Sequence, residues 1–413
     1  MKKDLDQLMV ENQIKALLVC GAAQHNPAMT YFTGGVHLTQ AELLKVVDQQ
    51  PVLYYGSMME REEAAQTGLS IISYEELKLQ QILEQYKSKP VQARVIRYQQ
   101  MLSNLGVTSG RVAVYGMVDA GSAYATFREL NRLLPDLEIL SEEEQSLLLN
   151  AMATKDQSEL DRIREMGRIT VEVVGMVADF LTSHAVKQQV LIKSDGNPLC
   201  IGDIKKKINL WLMERSAENP EGTIFAQGRD AGIPHSSGRD DMPLELGKTI
   251  VFDIFPCELY GGYYYDFTRT WCLGYATDEA LKIYQDVLAV YQLVTKNLLA
   301  GEPCSKYQKM TCDFFEEHGH ATIQSNPATE NGYVHSLGHG VGLHVHEKPW
   351  FGRNSDANDV IKPGSVFTIE PGLYYPEKGL GVRLEDTYWV KPNGQIELVA
   401  PYPMDLVLPM QGH

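Results

Sequence analysis

Four times in the C-terminal part of this chain, a carboxylate stands within a β-rich, largely apolar segment: Val251-Phe252-Asp253-Ile254-Phe255, Tyr263-Tyr264-Tyr265-Asp266-Phe267-Thr268, Phe367-Thr368-Ile369-Glu370-Pro371 and Val382-Arg383-Leu384-Glu385-Asp386. The surrounding Ile, Val, Tyr, Phe and Thr favour pleated strands. Turn residues pair the segments, with Gly261-Gly262 between 248–256 and 263–273, and Pro376-Glu377-Lys378-Gly379 between 365–374 and 381–390, so two hairpins are expected. Taken singly, each acid reads as a solvent-facing residue on a half-exposed strand. Taken as a set, they constrain the fold. Carboxylates buried without compensation are costly, and four brought together repel until some take up protons. Something positive must sit among them.

The sequence supplies too little positive charge for this from its own side chains. Arg383 shares strand parity with Glu385, and one guanidinium cannot balance four carboxylates. Between the hairpins lies Val334-His335-Ser336-Leu337-Gly338-His339-Gly340-Val341-Gly342-Leu343-His344-Val345-His346-Glu347, where four of the 11 histidines fall within twelve residues. Glycines at 338, 340 and 342 permit close backbone approach and suit a helix interior poorly. Four carboxylates with one histidine form a hard, oxygen-rich donor set that favours Mn²⁺, with Co²⁺, Zn²⁺ or Fe²⁺ as competitors. Two divalent ions would match the charge of the four acids. Such a pair, about 3.5–4 Å apart, can hold a bridging hydroxide, polarise a carbonyl and steady a tetrahedral oxyanion. The chemistry expected is metal-assisted hydrolysis.

At 413 residues the chain is long enough for two or three domains. In the first 150 residues, apolar strands at 14–20, 51–55 and 111–115 alternate with helical stretches at 58–66, 75–87 and 122–134, an α/β pattern. His25 and His37 stand alone there and read as structural. The acidic stretch around Glu142-Glu143-Glu144 places a boundary near 150, giving an N-terminal domain at 1–150 and a second domain at 151–413. The second opens with a long amphipathic helix capped at Asp156 or Ser158. Further helices are expected at 203–216 and 277–301, and from Pro303, in a first turn, to 317. With the two hairpins these make an α+β domain. Lys plus Arg number 37 against 53 Asp plus Glu, a net charge of −16, which argues against nucleic acid or an anionic membrane as partner. There is no apolar run of signal-peptide or membrane-span length, and the six dispersed cysteines read as reduced thiols. A cytoplasmic location is expected.

The ordered set Asp253, Asp266, His339, Glu370 and Glu385, in the motifs FDIFP, YYDFTRTW, HSLGHGVGLHVHE, TIEPGLYY and VRLEDTYWV, resembles the pita-bread metallopeptidases, the family of methionine aminopeptidase, Xaa-Pro aminopeptidase and prolidase. The segment Asn26-Pro27-Ala28-Met29-Thr30-Tyr31-Phe32-Thr33-Gly34-Gly35 is similar to the signature of the creatinase-type N-terminal domain found in the proline-directed members. The resemblance implies an α/β N-terminal domain followed by an α+β pita-bread catalytic domain. It implies that Asp253 chelates one ion, that Asp266 and Glu385 bridge two, and that His339 and Glu370 complete the ligand set of the second ion. Glu370 would also exchange protons with the bridging water. His346 would contact the scissile carbonyl, His235 would be the upstream active-site histidine, His335 a pocket histidine, and Arg383 the arginine beside the last ligand.

The reaction so implied is removal of an N-terminal residue ahead of proline, with an Xaa-Pro dipeptidase, or a creatinase-like non-peptide C–N hydrolase or lyase, as alternatives. The partner would be a peptide or dipeptide with proline second, and the assembly a homodimer. A binding module that has lost the ligands is disfavoured, because every ligand position is filled. Two departures stand out. The aspartates lie thirteen positions apart, farther than is usual in the family, so a slip of strand register would turn one away. His344 stands where an aspartate is common and reads as a supporting or surface residue. Cys257 and Cys272 are near the motifs but at no ligand position, and Tyr263 to Tyr265 and Trp350 read as pocket wall or core.

Overall fold

The computed structural model describes residues 4–87, 89–140, 146–352 and 355–410. Two compact units result. One ends at Met152 and takes in Tyr260–Gly262, and the other starts at Ala153 and resumes at Tyr263. Helix Leu147–Met152 runs through residue 150, and Glu142 to Glu144 lie outside the described residues.

In the first unit a six-stranded sheet runs in the order Ser70–Ser73, Val52–Tyr55, Ala41–Val46, Ile14–Cys20, Gly110–Gly116, Leu137–Leu140. Ile14–Cys20 pairs antiparallel with Ala41–Val46 and parallel with Gly110–Gly116. A central strand with both faces covered is expected to be mostly apolar, and from Ala16 to Cys20 this one is, every residue there being buried. Helix Pro27–Thr33 accounts for the 26–35 signature. Buried Asn26 accepts from the Met29 N–H and donates to the Cys20 and Ala22 carbonyls, and Gly34 closes the helix at φ 75°. The sequence reading missed Ala41–Val46, because Glu42 and Lys45 broke its apolar pattern. Both are buried and paired, Glu42 with Arg97 at 2.6 Å and Lys45 with Asp6 at 2.5 Å. It also missed the helix Pro90–Asn104. Of the helix expected at 75–87 only Leu79–Gln85 forms, and 58–66 divides into a 3₁₀ turn, Met58–Glu60, and the helix Arg61–Gln66.

The second unit opens with the 26-residue helix Gln157–Thr182 behind a capping box, in which Asp156 accepts from the Glu159 N–H and Glu159 from the Asp156 N–H. Helices Ile201–Met213, Asp278–Asn297 and Cys304–Glu317 follow, and Pro303 occupies the N-cap of the last rather than its first turn. The apolar stripes of the last two pack with the second hairpin in one core that includes Val287, Tyr291, Phe367, Leu373 and Val382.

One sheet carries Thr223–Gln227, Thr249–Ile254, Phe267–Leu273 and Val407–Leu408 in that order. Asp253 pairs across to Thr268, so Asp266, two residues earlier, keeps the same parity as Asp253. The extra length of this hairpin goes into a short strand, Cys257–Glu258, paired with Ala217–Glu218. The feared slip of register does not occur. The second hairpin is broken into two ladders, Val366–Ile369 with Asp386–Val390 and Gly372–Tyr375 with Leu380–Arg383. The break falls at Glu370-Pro371 and Leu384-Glu385. There Glu385 leaves its own hairpin to bridge Thr268 of the first.

Arg269 locks that junction from beneath. Its side chain is 1% exposed and donates to the carbonyls of Thr268, Glu385, Tyr402 and Pro403 and to Asp386 Oδ1 at 2.9 Å. Removing one member of a buried ion pair leaves the other charge uncompensated. Arg269→Met is therefore expected to destabilise this unit by about 3–5 kcal/mol, read as a lowered denaturation midpoint. A loss below about 1 kcal/mol, the size of one ordinary hydrogen bond, would show that the junction does not depend on it.

Candidate active site

All nine residues singled out from the sequence line one cavity of about 710 Å³ in the second unit. Asp253 comes from the strand Thr249–Ile254, Asp266 from the residue preceding Phe267–Leu273, His339 from the two-residue strand His339–Gly340, and Glu370 and Glu385 from the hairpin break. Asp253, Asp266, His339 and Glu385 are buried, and the Glu370 side chain is 16% exposed. His339 Nε2 lies 3.6 Å from Asp266 Oδ2 and 3.4 Å from Glu370 Oε1. Ligand atoms of Asp266, His339 and Glu385 all fall within 4.8 Å of one another.

The glycines between the histidines make this approach possible. A Cβ on Gly338 would sit 2.1 Å from the Thr368 carbonyl oxygen, and one on Gly340 1.9 Å from that of Lys348. Any side chain would push the His339 strand off its neighbours.

The donor set fits divalent metal. Asp253 Oδ1, Asp266 Oδ1 and Glu385 Oε1 are buried and have no hydrogen-bond partner among the described residues, where buried polar atoms ordinarily find one. His339 Nδ1 faces the Gly340 carbonyl at 3.1 Å. A carbonyl only accepts, so the proton is on Nδ1 and the Nε2 lone pair points at the carboxylates. Three orphaned carboxylate oxygens and one imidazole lone pair, converging in a buried space, are what a hard or borderline cation takes as ligands.

Arg383 is the cation already present, and it spends its charge on one acid. Its Nη2 donates to Asp253 Oδ2 at 2.6 Å, its Nη1 to the Tyr374 hydroxyl at 2.7 Å, and its Nε to Thr268 Oγ1 at 3.3 Å. Thr268 in turn donates to Glu385 Oε2 at 2.7 Å. His335 Nδ1 faces the Ser336 carbonyl, so its Nε2 accepts from Tyr374 at 2.8 Å. The other acids show the imbalance. Burial, followed by repulsion from Glu385 and Asp253, raises Asp266 well above the ordinary carboxylate range. Burial and then Glu385 raise Glu370 likewise. Glu385 is pushed up to about 8 by burial and then by Asp253. Burial holds His335 and His339 down to about 3, so both are neutral at physiological pH.

His346 opens onto the cavity, its ring centroid 4.3 Å from that of His339. His235 is also exposed there, next to Pro234, whose carbonyl accepts from Arg383 at 3.3 Å. Trp350 lines the wall, whereas His344, Cys257, Cys272 and Tyr263 to Tyr265 do not. Thr268 and Tyr374 escaped the sequence reading. Both had a usable signal in strand parity, Thr268 two residues after Asp266 and Tyr374 four after Glu370, but a hydroxyl among aromatics and β-branched residues does not stand out.

Residues 161–392 match metallopeptidase family M24. An Xaa-Pro dipeptidase of Pyrococcus horikoshii is 26% identical over 96% of this chain and 95% of its own length. An Xaa-Pro dipeptidase of Pyrococcus furiosus is 32% identical over 193 residues, which is 46% of this chain and 51% of that protein. The solved structure of a dipeptidase from Pyrococcus horikoshii superposes with a TM-score of 0.74 at 20% identity, covering 98% of this chain and 99% of that one. The fold is therefore the pita-bread catalytic fold behind an α/β N-terminal unit.

The raised carboxyls make the stability of metal-free protein depend on pH. A carboxyl whose pKa rises on folding contributes stability that is fully present below its unfolded value, near 4.3 for Glu, and lost as pH rises through its folded value. For Glu385 that value is about 8. The lowered histidines act in the opposite sense, and only below about pH 6.5. From pH 6.5 to 8.5 the chelator-treated protein should thus lose on the order of 2 kcal/mol. Adding Mn²⁺ should restore stability and release protons, seen in an unbuffered titration. A midpoint that is flat or rises with pH would refute this.

Proposed function

Because the chain belongs to metallopeptidase family M24 and is a dinuclear metallopeptidase, we propose that it hydrolyses dipeptides whose second residue is proline. The hydrolytic reading is carried by the cluster of orphaned carboxylate oxygens around the His339 lone pair. Sequence alone put the Xaa-Pro aminopeptidase reaction first. The dipeptidase reading now takes precedence, supported by the relative that matches along nearly the whole chain and is described as an Xaa-Pro dipeptidase.

Asp253, Asp266, His339, Glu370 and Glu385 would hold two divalent ions, with Mn²⁺ favoured by their mostly oxygen donors. When bound, such ions supply Lewis acidity and an acidified water. Glu370, at the cavity edge, takes the proton from the attacking water and passes it to the leaving proline nitrogen. His346 donates a hydrogen bond to the carbonyl oxygen as negative charge develops there. Arg383 holds Asp253 in an ion pair and, through Tyr374, fixes His335 in the tautomer whose Nε2 accepts. His235, exposed in the cavity lining, would contact the substrate. The homodimer and cytoplasmic location expected from the sequence remain part of this proposal, checked by sedimentation and by cell fractionation.

The aminopeptidase remains as a second reading because the cavity continues past the acids to Lys205, Asn209 and Glu221, which leaves room for more than two residues. The two are separated by kcat/KM on Ala-Pro, Ala-Pro-Ala and longer peptides in Mn²⁺. A dipeptidase loses activity beyond two residues, and undiminished rates on the longer peptides would install the second reading instead. His346→Ala should keep its metal and lose about 10²–10³ in kcat. Chelation should abolish turnover and Mn²⁺ restore it, and turnover indifferent to both treatments would sink the metal mechanism.

A further inference from the structure

The first unit holds a cavity of its own, of about 320 Å³. It lies at the carboxyl ends of the parallel strands Ile14–Cys20 and Gly110–Gly116, beside the N-terminus of the 14-residue helix Ala120–Leu133. In open α/β sheets this is the edge where strand ends and helix amides leave a crevice for ligands. Two glycines let the strand ends beside it approach closely. A Cβ on Gly116 would stand 1.9 Å from the Cys20 carbonyl oxygen, and one on Gly21 2.3 Å from that of Met117.

Charges of both signs line this space, and neither is fully satisfied. Arg94 donates to the hydroxyls of Ser122 and Thr126, and among the described residues it pairs with no carboxylate. Arg97 stacks over Tyr74 at 4.4 Å and donates to Glu42 Oε1, while its Nε has no partner among the described residues. Glu42 is 6% exposed, and its Oε2 likewise has no hydrogen-bond partner among the described residues. Among the described residues, a guanidinium bonded to hydroxyls and a buried carboxylate with one oxygen left without a donor thus line one small cavity. A simple anion would answer only the first, and a simple cation only the second.

We propose that this cavity binds a free α-amino acid as its zwitterion, with the carboxylate on Arg94 and the first amides of helix Ala120–Leu133, and the ammonium on Glu42. Asp119 already caps that helix through the Ser122 N–H at 2.8 Å, so the ligand carboxylate rests chiefly on Arg94. The volume is at the small end of ligand sites, which suits a molecule of this size. The inference is independent of the substrate assigned to the catalytic unit.

Calorimetric titration of the metal-loaded full chain tests it, with L-alanine as probe, propionate as the analogue lacking the ammonium and ethylamine as the one lacking the carboxylate. L-Alanine should bind saturably and propionate and ethylamine each at least about tenfold more weakly, the size of one lost charge-assisted hydrogen bond. Arg94→Gln and Glu42→Gln should each weaken L-alanine by at least about tenfold, while Asp266→Asn in the catalytic cavity leaves it unchanged. Among the described residues Arg94 bonds to hydroxyls alone, so Arg94→Gln carries the test if Glu42→Gln fails to fold. Four results would each overturn the proposal: no saturable binding of L-alanine, binding indifferent to Arg94→Gln, binding lost only in Asp266→Asn, or propionate binding as tightly as L-alanine.

Discussion

A single guanidinium meets four carboxylates where water is largely excluded, and the catalytic unit is arranged around that imbalance. Arg383 commits one strong ion pair to Asp253 at 2.6 Å and reaches Glu385 only through the Thr268 hydroxyl. Asp266, Glu370 and Glu385 are left with charge that burial makes expensive, so their pKa values rise. The same burial strips the proton from His335 and His339 and makes them lone-pair donors. Acids that resist ionising and histidines that refuse a proton are two results of one cause. A divalent cation reverses the first and uses the second.

Such a concentration of charge needs backbone that does not relax. Paired strands cannot put two acids of one hairpin beside two of another while every ladder stays intact. The second hairpin gives way at Glu370-Pro371 and Leu384-Glu385, and the freed Glu385 backbone pairs with Thr268 instead. Arg269 then fastens the carbonyls of Thr268 and Glu385 from below. The break is local because intact ladders flank it on both sides.

What the sequence made legible follows from the same physics. An acid inside an apolar, β-branched run is visible from pattern alone, and four in two hairpins pointed to metal before any coordinates. The cap at Asp156 was legible because capping is local. Ala41–Val46 was not, because Glu42 and Lys45 interrupt its apolar run and are neutralised by Arg97 and Asp6, 55 and 39 residues away in the chain. The short strand Cys257–Glu258, which absorbs the long turn, was hidden for a like reason, its partner lying near residue 217. Thr268 and Tyr374 carry no charge to draw notice, and their roles appear only once Arg383 is placed between them. Pattern finds the charged groups, and long-range pairing decides what they do.

The loop bearing His346 shows why buried and exposed charges divide their labour here. Lys155 and Glu347 form an ion pair at 2.6 Å with side chains 1% and 0% exposed. The second oxygen of Glu347 accepts the His344 N–H at 3.0 Å, and Gly342 leaves room for the carboxylate, since a Cβ there would lie 2.4 Å from it. A buried ion pair is weak evidence for stability, because desolvation offsets much of its attraction. Its geometry is strict, however, and it ties residues 192 positions apart in sequence. The loop is therefore held from behind by charges that water does not reach, while His346, one residue before Glu347, remains exposed on the cavity side. A group that must meet a developing oxyanion needs an exact position and a free face. Here the buried pair sets the position, so the histidine is left to the substrate.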